Sequence, residues 1–208
     1  MRSNGLLIGI GLTLALLLGA GGAQASTFHV TIDSTSLSGS PAVLVFDFID
    51  GGLPDNAVTL SALTSNGTQG SASTTGNVTG TGPWTFSDAG PSFFNELEVP
   101  FNPMGTSLSF SFITTDNPPD PGSFADAFSF FIFGTDLITP LISTDDPTGA
   151  NALFLYSIGE GAQGLGVYTP DQTGFSVSVA PAQAPEPASL ALLAAGLVAL
   201  SARRRFMP

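Results

Sequence analysis

Three aspartates stand close together around one turn of the chain and could bind a hard cation. Asp47, Asp50 and Asp55 lie in or beside a segment rich in Asp, Gly, Pro and Asn, residues that favour turns. Ca²⁺ takes several carboxylate and carbonyl oxygens, so these side chains are the calcium candidates. Their spacing matches neither the EF-hand loop nor the nonapeptide calcium repeat. We therefore expect solvated turn residues and no cofactor, with one bound calcium as the alternative.

The residue types needed for enzymatic catalysis are sparse. His29 is the only histidine, and no serine stands in a G-x-S-x-G elbow. Glu96/Glu98 and Asp145/Asp146 are paired acids. Glycoside hydrolysis, however, requires two carboxylates at a defined separation across a cleft, which sequence spacing does not establish. We predict no catalytic residues and no enzymatic activity.

Two aromatic residues are candidates for carbohydrate binding. Trp84 and Tyr168 could stack on sugar rings if both were exposed and coplanar. In a chain with 17 Phe, burial of aromatic side chains is the competing expectation.

Charge is distributed very unevenly along the chain. All 16 acidic residues lie between the two ends, whereas the four basic residues lie near the ends, at Arg2, Arg203, Arg204 and Arg205. Binding of nucleic acid through a basic patch is therefore excluded, because such binding depends on Lys and Arg. The absence of Cys likewise excludes disulfides and thiolate metal sites.

Short apolar runs separated by Gly, Pro, Asp and Asn predict an all-β domain that must position these residues. The clearest alternation lies in 106–115, where Leu108, Phe110 and Phe112 share one face and serines occupy the other. We predict a β-sandwich, jelly-roll-like or immunoglobulin-like, with a helix at each end of the chain. The predicted strands are 27–33, 41–49, 57–64, 84–87, 93–99, 106–115, 124–133, 137–142, 152–158, 165–168 and 174–179, with 68–80 as an exposed strand or a loop.

The N-terminal segment predicts a cleaved signal peptide. Arg2 precedes an apolar stretch over 6–18, and Ala23-Gln24-Ala25 forms an A-x-A cleavage site before Ser26.

The C-terminal segment predicts a membrane stop. Pro185-Glu186-Pro187 precedes an apolar run over 188–202, and the basic triplet Arg203, Arg204 and Arg205 follows that run. The three arginines stay cytoplasmic under the positive-inside rule, so the residues before Pro185 lie on the far side of the membrane.

The C-terminal apolar run is short for a permanent anchor. At 1.5 Å per residue it gives roughly 22 Å of helix, against about 30 Å for the hydrocarbon core. An ordinary anchor is the alternative, but a transient anchor tolerates a short span better. Together the tripeptide, the apolar run and the Arg triplet resemble the PEP-CTERM sorting tail of exported bacterial proteins. That resemblance implies recognition by exosortase, a membrane enzyme that cuts near Pro-Glu-Pro.

The central region also resembles an exported β-rich family for which no activity is established. The stretches that carry this resemblance are 46–51, 126–131 and 146–152. Residues 1–25 are thus predicted to be the signal peptide, 26–180 the sandwich, 181–187 the linker, and 188–208 the sorting helix with its basic tail.

The predicted function is that of an exported structural protein of the cell surface or the exopolysaccharide matrix. A carbohydrate-binding module, with or without calcium, is the alternative. The expected partners are the secretion machinery with signal peptidase, the inner membrane during a transient anchoring step, exosortase, and exopolysaccharide as a further candidate. Nucleic acid is not among them.

Overall fold

The computed structural model describes residues 25–182, which form an all-β domain of two antiparallel sheets. Short 3₁₀ turns cover Thr35–Leu37 and Gly161–Gly164. The twelve strands are β1 (Ala25–Asp33), β2 (Ala42–Ile49), β3 (Ala57–Ser65), β4 (Ser73–Thr75), β5 (Val78–Gly80), β6 (Trp84–Ser87), β7 (Phe94–Phe101), β8 (Ser107–Thr115), β9 (Ala127–Phe133), β10 (Phe154–Ser157), β11 (Leu165–Val167) and β12 (Ser176–Pro181).

Each sheet contains six strands. Sheet A has the order β12-β1-β8-β3-β6-β5, and sheet B has the order β11-β10-β9-β2-β7-β4. The pairs β1–β8, β2–β7 and β3–β6 are nested in the sequence, so the first eight strands resemble a long hairpin folded over between the two sheets. The β-sandwich predicted from the sequence is thereby confirmed in its two-sheet architecture.

Phenylalanine rings from both sheets form the core between them. The predicted core residues Phe110 and Phe112 of sheet A and Phe128 and Phe130 of sheet B are all fully buried. Phe46 of sheet B meets Phe110 edge to face at 5.1 Å between ring centroids. Burial of large aromatic surfaces, together with such ring contacts, is the main stabilising term available to a domain without disulfides.

Two strand predictions differ most from the structure, while several others differ by one or two residues at their ends. The predicted strand 137–142 is wrong: Asp136 Oδ1 accepts the backbone N–H groups of Ile138 and Thr139, so a local turn replaces the ladder. The strand predicted from residue 124 begins only at Ala127, because Phe124 lies in a loop and is 82 % exposed.

The outer faces of the sheets differ in character. Sheet A presents hydroxyl side chains to solvent, whereas Val43 and Val45 on the outer face of sheet B are almost fully buried. The connection between β9 and β10 supplies Leu137 and Ala150 against this face. No helix within residues 25–182 is long and apolar enough to cross a membrane. The predicted terminal helices lie outside the described residues.

Candidate functional site

The three predicted calcium ligands lie in two different environments. Asp47 lies within β2 on the outer face of sheet B, where it is opposite Glu96 of β7. Asp50 follows the end of β2 and faces a different set of acids. Asp55 lies in the turn before β3, where its backbone carbonyl accepts a hydrogen bond from Asn117. The structure therefore does not bring Asp47, Asp50 and Asp55 together as one group.

Asp50 instead joins two acids that are distant in the sequence. Asp50 follows β2, Asp88 follows β6 and Asp126 precedes β9, so all three lie at strand ends on the same end of the sandwich. One carboxylate oxygen of each lies within 4.8 Å of the others. This group is called the end cluster below. The three carboxylates are close enough together for one cation to contact all of them.

Asn56 holds two members of the end cluster in place. Its backbone N–H donates to both carboxylate oxygens of Asp88, at 2.7 and 2.9 Å, and its side-chain amide donates to Asp126 Oδ2 at 2.6 Å. The backbone N–H of Gly51 donates to Asp126 Oδ1 at 2.7 Å. Asp88 and Asp126 are 5 % and 2 % exposed, so these hydrogen bonds compensate for lost hydration.

The electrostatics of the end cluster favour an added positive charge. Burial raises the pKa of Asp88, the hydrogen bond from Asn56 opposes this, and the neighbouring Asp126 and Asp55 raise it further. The chain has no Lys or Arg between residues 26 and 202 that could supply a counter-charge. Two chemical outcomes are open to such a group: it shares a proton, or it binds a hard cation such as Ca²⁺ through carboxylate oxygens.

The two predicted sugar-stacking residues do not form a platform. Trp84 is 6 % exposed and belongs to the core, so the candidate assignment of Trp84 to sugar stacking is wrong: the ring packs inside the sandwich, as expected for aromatic side chains in a Phe-rich chain. Tyr168 follows β11 of sheet B and is half-buried. Burial raises the pKa of its hydroxyl, and the nearby Asp146 and Asp145 add to the shift.

A hydroxyl-rich surface on sheet A was missed as a site by the sequence analysis. Thr31 of β1 lies between Ser178 of β12 and Ser109 of β8, and Thr64 of β3 continues the row at 2.8 Å from Ser109. A shallow cavity of about 790 Å³ lies along this row, which also includes Asn66. The alternating serines of 106–115 predict that one face of this strand is exposed to solvent. The order of the neighbouring strands, which extends the exposed surface, cannot be predicted from a single sequence.

Two of the predicted signal-cleavage residues, Ala25 and Ser26, lie at the start of β1. Ala25 is paired with Thr115 of β8, and the Ser26 hydroxyl donates to Asp116 Oδ2 at 2.9 Å. Ala23 lies outside the described residues. A new N-terminus at Ser26 would therefore be held to the domain by the hydrogen bond from its side chain to Asp116.

Comparison with known proteins identifies one segment of the chain. Residues 183–205 match the family described as the PEP-CTERM protein-sorting motif. No curated protein and no solved structure matches the chain. The motif indicates an exported protein that is anchored transiently in the membrane and processed by exosortase.

The matched segment includes every residue of the predicted sorting signal. These residues are Pro185, Glu186, Pro187, Arg203, Arg204 and Arg205. All six lie outside the described residues, so the match with the motif is what supports their assignment.

Proposed function

We propose that this chain, which carries the PEP-CTERM sorting motif, delivers its β-sandwich to the cell surface or the exopolysaccharide matrix as a structural component. The observation that carries the proposal is the position of the motif. The last described backbone hydrogen bond of the sandwich runs from Ala182 N–H to Thr27 C=O at 2.7 Å, and the motif begins at residue 183. All strands of the described sandwich thus precede the sorting segment, so we expect cutting near Pro185-Glu186-Pro187 to leave their pairing in place.

The nested strand pairs support a jelly-roll arrangement of the domain over an immunoglobulin-like one. In a jelly roll, a long hairpin wraps so that its strands alternate between two sheets, and β1–β8, β2–β7 and β3–β6 follow this pattern. β5 departs from the pattern because it pairs with β6 in sheet A. β9 to β12 extend the edges of both sheets. Such a domain offers two broad outer faces for contacts in a matrix.

Carbohydrate binding is the second candidate function, and the hydroxyl row of sheet A is the observation that favours it. Ser109, Thr31 and Ser178 present donors and acceptors at strand spacing along a cavity of about 790 Å³. Neutral sugars are recognised largely through such groups. A Thr31→Ala, Ser109→Ala double variant distinguishes the two candidate functions. Retention of the purified variant on the host's exopolysaccharide should fall if this face binds glycan. It should be unchanged if the role is structural only.

A fractionation experiment tests the sorting half of the proposal. The chain is expressed in its host with and without exosortase, and the membrane and surface fractions are compared. We expect surface protein only when exosortase is present, and accumulation in the membrane when Pro185, Glu186 and Pro187 are replaced by Ala. Asp171→Asn, an exposed change in the sandwich, is the control and should be sorted normally. Equal surface display without exosortase would contradict the proposal.

A further inference from the structure

An acidic cavity lies on the outer face of sheet B, away from the end cluster. It has a volume of about 280 Å³ and is called the side cavity below. Its floor comes from β2, β7 and β9, and the connection between β9 and β10 forms one wall. The lining residues used below are Asp47, Glu96, Glu98, Phe131, Phe133 and Leu137.

Among residues 25–182, the acids of the side cavity have no positive partner. Asp47 lies directly opposite Glu96 in the register of β2 and β7, and Glu98 is the next outward residue of β7. The Ser73 hydroxyl of β4 donates to Glu98 Oε2 at 2.7 Å, and Ser129 of β9 lies beside Asp47. Asp47 Oδ1 is buried and has no hydrogen-bond partner among the described residues. A buried, unpaired carboxylate oxygen is costly, and Asp47 is the only charged residue of β2.

The remaining walls of the side cavity are apolar and aromatic. Phe131 and Phe133 are half-buried and stack with their ring centroids 5.7 Å apart. Leu137 is 42 % exposed, and the adjacent Ile138 is 79 % exposed at the same turn. Aromatic faces attract cations when these are placed over the ring, and the aliphatic side chains can cover an apolar stem.

We propose that the side cavity binds the side-chain ammonium group of a lysine presented by a different protein. The ammonium would meet Asp47 and Glu96, while the four-carbon stem would lie against Phe131 and Phe133. Lysine fits better than arginine because one unpaired buried oxygen matches a compact donor, whereas the planar guanidinium needs several acceptors in one plane. An amino sugar fits less well, since the walls offer few partners for its hydroxyl groups.

The composition of the chain requires that the partner be a different protein. No Lys occurs anywhere in the sequence, and the four Arg lie at positions 2, 203, 204 and 205. A second copy of the sandwich therefore cannot supply a lysine side chain.

A bare metal ion is also disfavoured in the side cavity. Among residues 25–182, the only group of three acids whose oxygens all come within 4.8 Å of one another is the end cluster. The acids of the side cavity do not meet that spacing. The apolar walls contribute no oxygen ligands, which hard cations require.

Binding of Nα-acetyl-lysine methylamide to the full sandwich, followed by NMR at low salt and neutral pH, tests the proposal. We expect saturable shifts at the amides of β2, β7 and β9, and affinity reduced about tenfold or more by Asp47→Asn, since a charge-assisted hydrogen bond is lost. Glu98→Gln provides a second variant with a smaller expected loss. Asp171→Asn removes the same charge from an exposed position and should leave affinity unchanged.

Three outcomes would overturn the proposal. The first is an unchanged affinity in both Asp47→Asn and Glu98→Gln. The second is tighter binding of glucosamine or of Nα-acetyl-arginine methylamide than of the lysine probe. The third is a lysine probe that shifts no localised set of amides and that calcium chloride and sodium chloride of higher ionic strength displace equally. That result would indicate only general attraction to an acidic surface.

Discussion

Replacing Asp47 by Asn is expected to stabilise the sandwich at neutral and alkaline pH. Burial raises the pKa of Asp47 from 3.8 to about 7, and the charges of Glu96 and Glu98 contribute further. Near neutral pH the wild-type domain therefore either holds a proton on this carboxyl or carries an unpaired buried charge. Asn has nearly the same shape, is neutral, and can donate to the Glu96 carboxylate opposite it.

The expected magnitude follows from proton linkage. The folded state holds the Asp47 proton more tightly than the unfolded state, so stability is highest at low pH and declines as the pH rises from the unfolded pKa to the folded pKa. Each pKa unit corresponds to about 1.36 kcal/mol, which gives a cost of roughly 4 kcal/mol above about pH 7. Between about pH 5 and pH 7, the free energy of unfolding should therefore fall by roughly 2 kcal/mol more in the wild type than in Asp47→Asn. The pH dependence that comes from the raised pKa values of Asp88 and Glu96 is present in both proteins.

Urea unfolding measured at several pH values between about 5 and 8 checks this expectation. Trp84 is the only tryptophan and is buried, so its fluorescence reports loss of the core. Asp171→Asn is the matched control and should follow the wild-type pH profile with the same slope. Equal pH slopes for the wild type and Asp47→Asn, or a lower stability of Asp47→Asn at about pH 8, would refute the reasoning.

Two further substitutions test the core and the end cluster. Phe110→Ala should lower the free energy of unfolding by roughly 3–5 kcal/mol, because Phe110 is fully buried against Phe46. Phe124→Ala, at a site that is 82 % exposed, should have little effect. Equal urea midpoints for the two variants would contradict the core assignment. If the end cluster binds Ca²⁺ instead of sharing a proton, millimolar calcium should raise the melting temperature more than sodium chloride of the same ionic strength, by linkage of binding to folding. Asp88→Asn should abolish that difference, and equal shifts from both salts in the wild type would eliminate the calcium site.

Local patterns in the sequence predicted much of the fold. Alternation in 106–115 identified β8 and its buried face, because the two-residue period of a strand is visible in a single segment. Asp136 shows where such reasoning fails. The apolar run after this aspartate predicts a strand, although an Asp side chain that accepts local backbone hydrogen bonds stabilises a turn instead.

The candidate sites were harder to predict because they depend on distant contacts. Asp50, Asp88 and Asp126 are far apart in the chain and meet only because three strands end on the same side of the sandwich. Asp47 and Asp50, by contrast, are near neighbours in sequence. They separate because Asp47 lies inside a strand and is directed outward from sheet B, whereas Asp50 lies beyond the end of that strand. Proximity in sequence was therefore a poor guide to shared chemistry.

Mass spectrometry of the protein recovered from the cell surface tests the central claim most directly. Sorting by exosortase predicts a C-terminus near Pro185-Glu186-Pro187. The peptide containing Arg203, Arg204 and Arg205 should then be missing from the surface protein and retained in a strain without exosortase. Surface protein that carries an intact C-terminal segment through Pro208 in both strains would contradict the account.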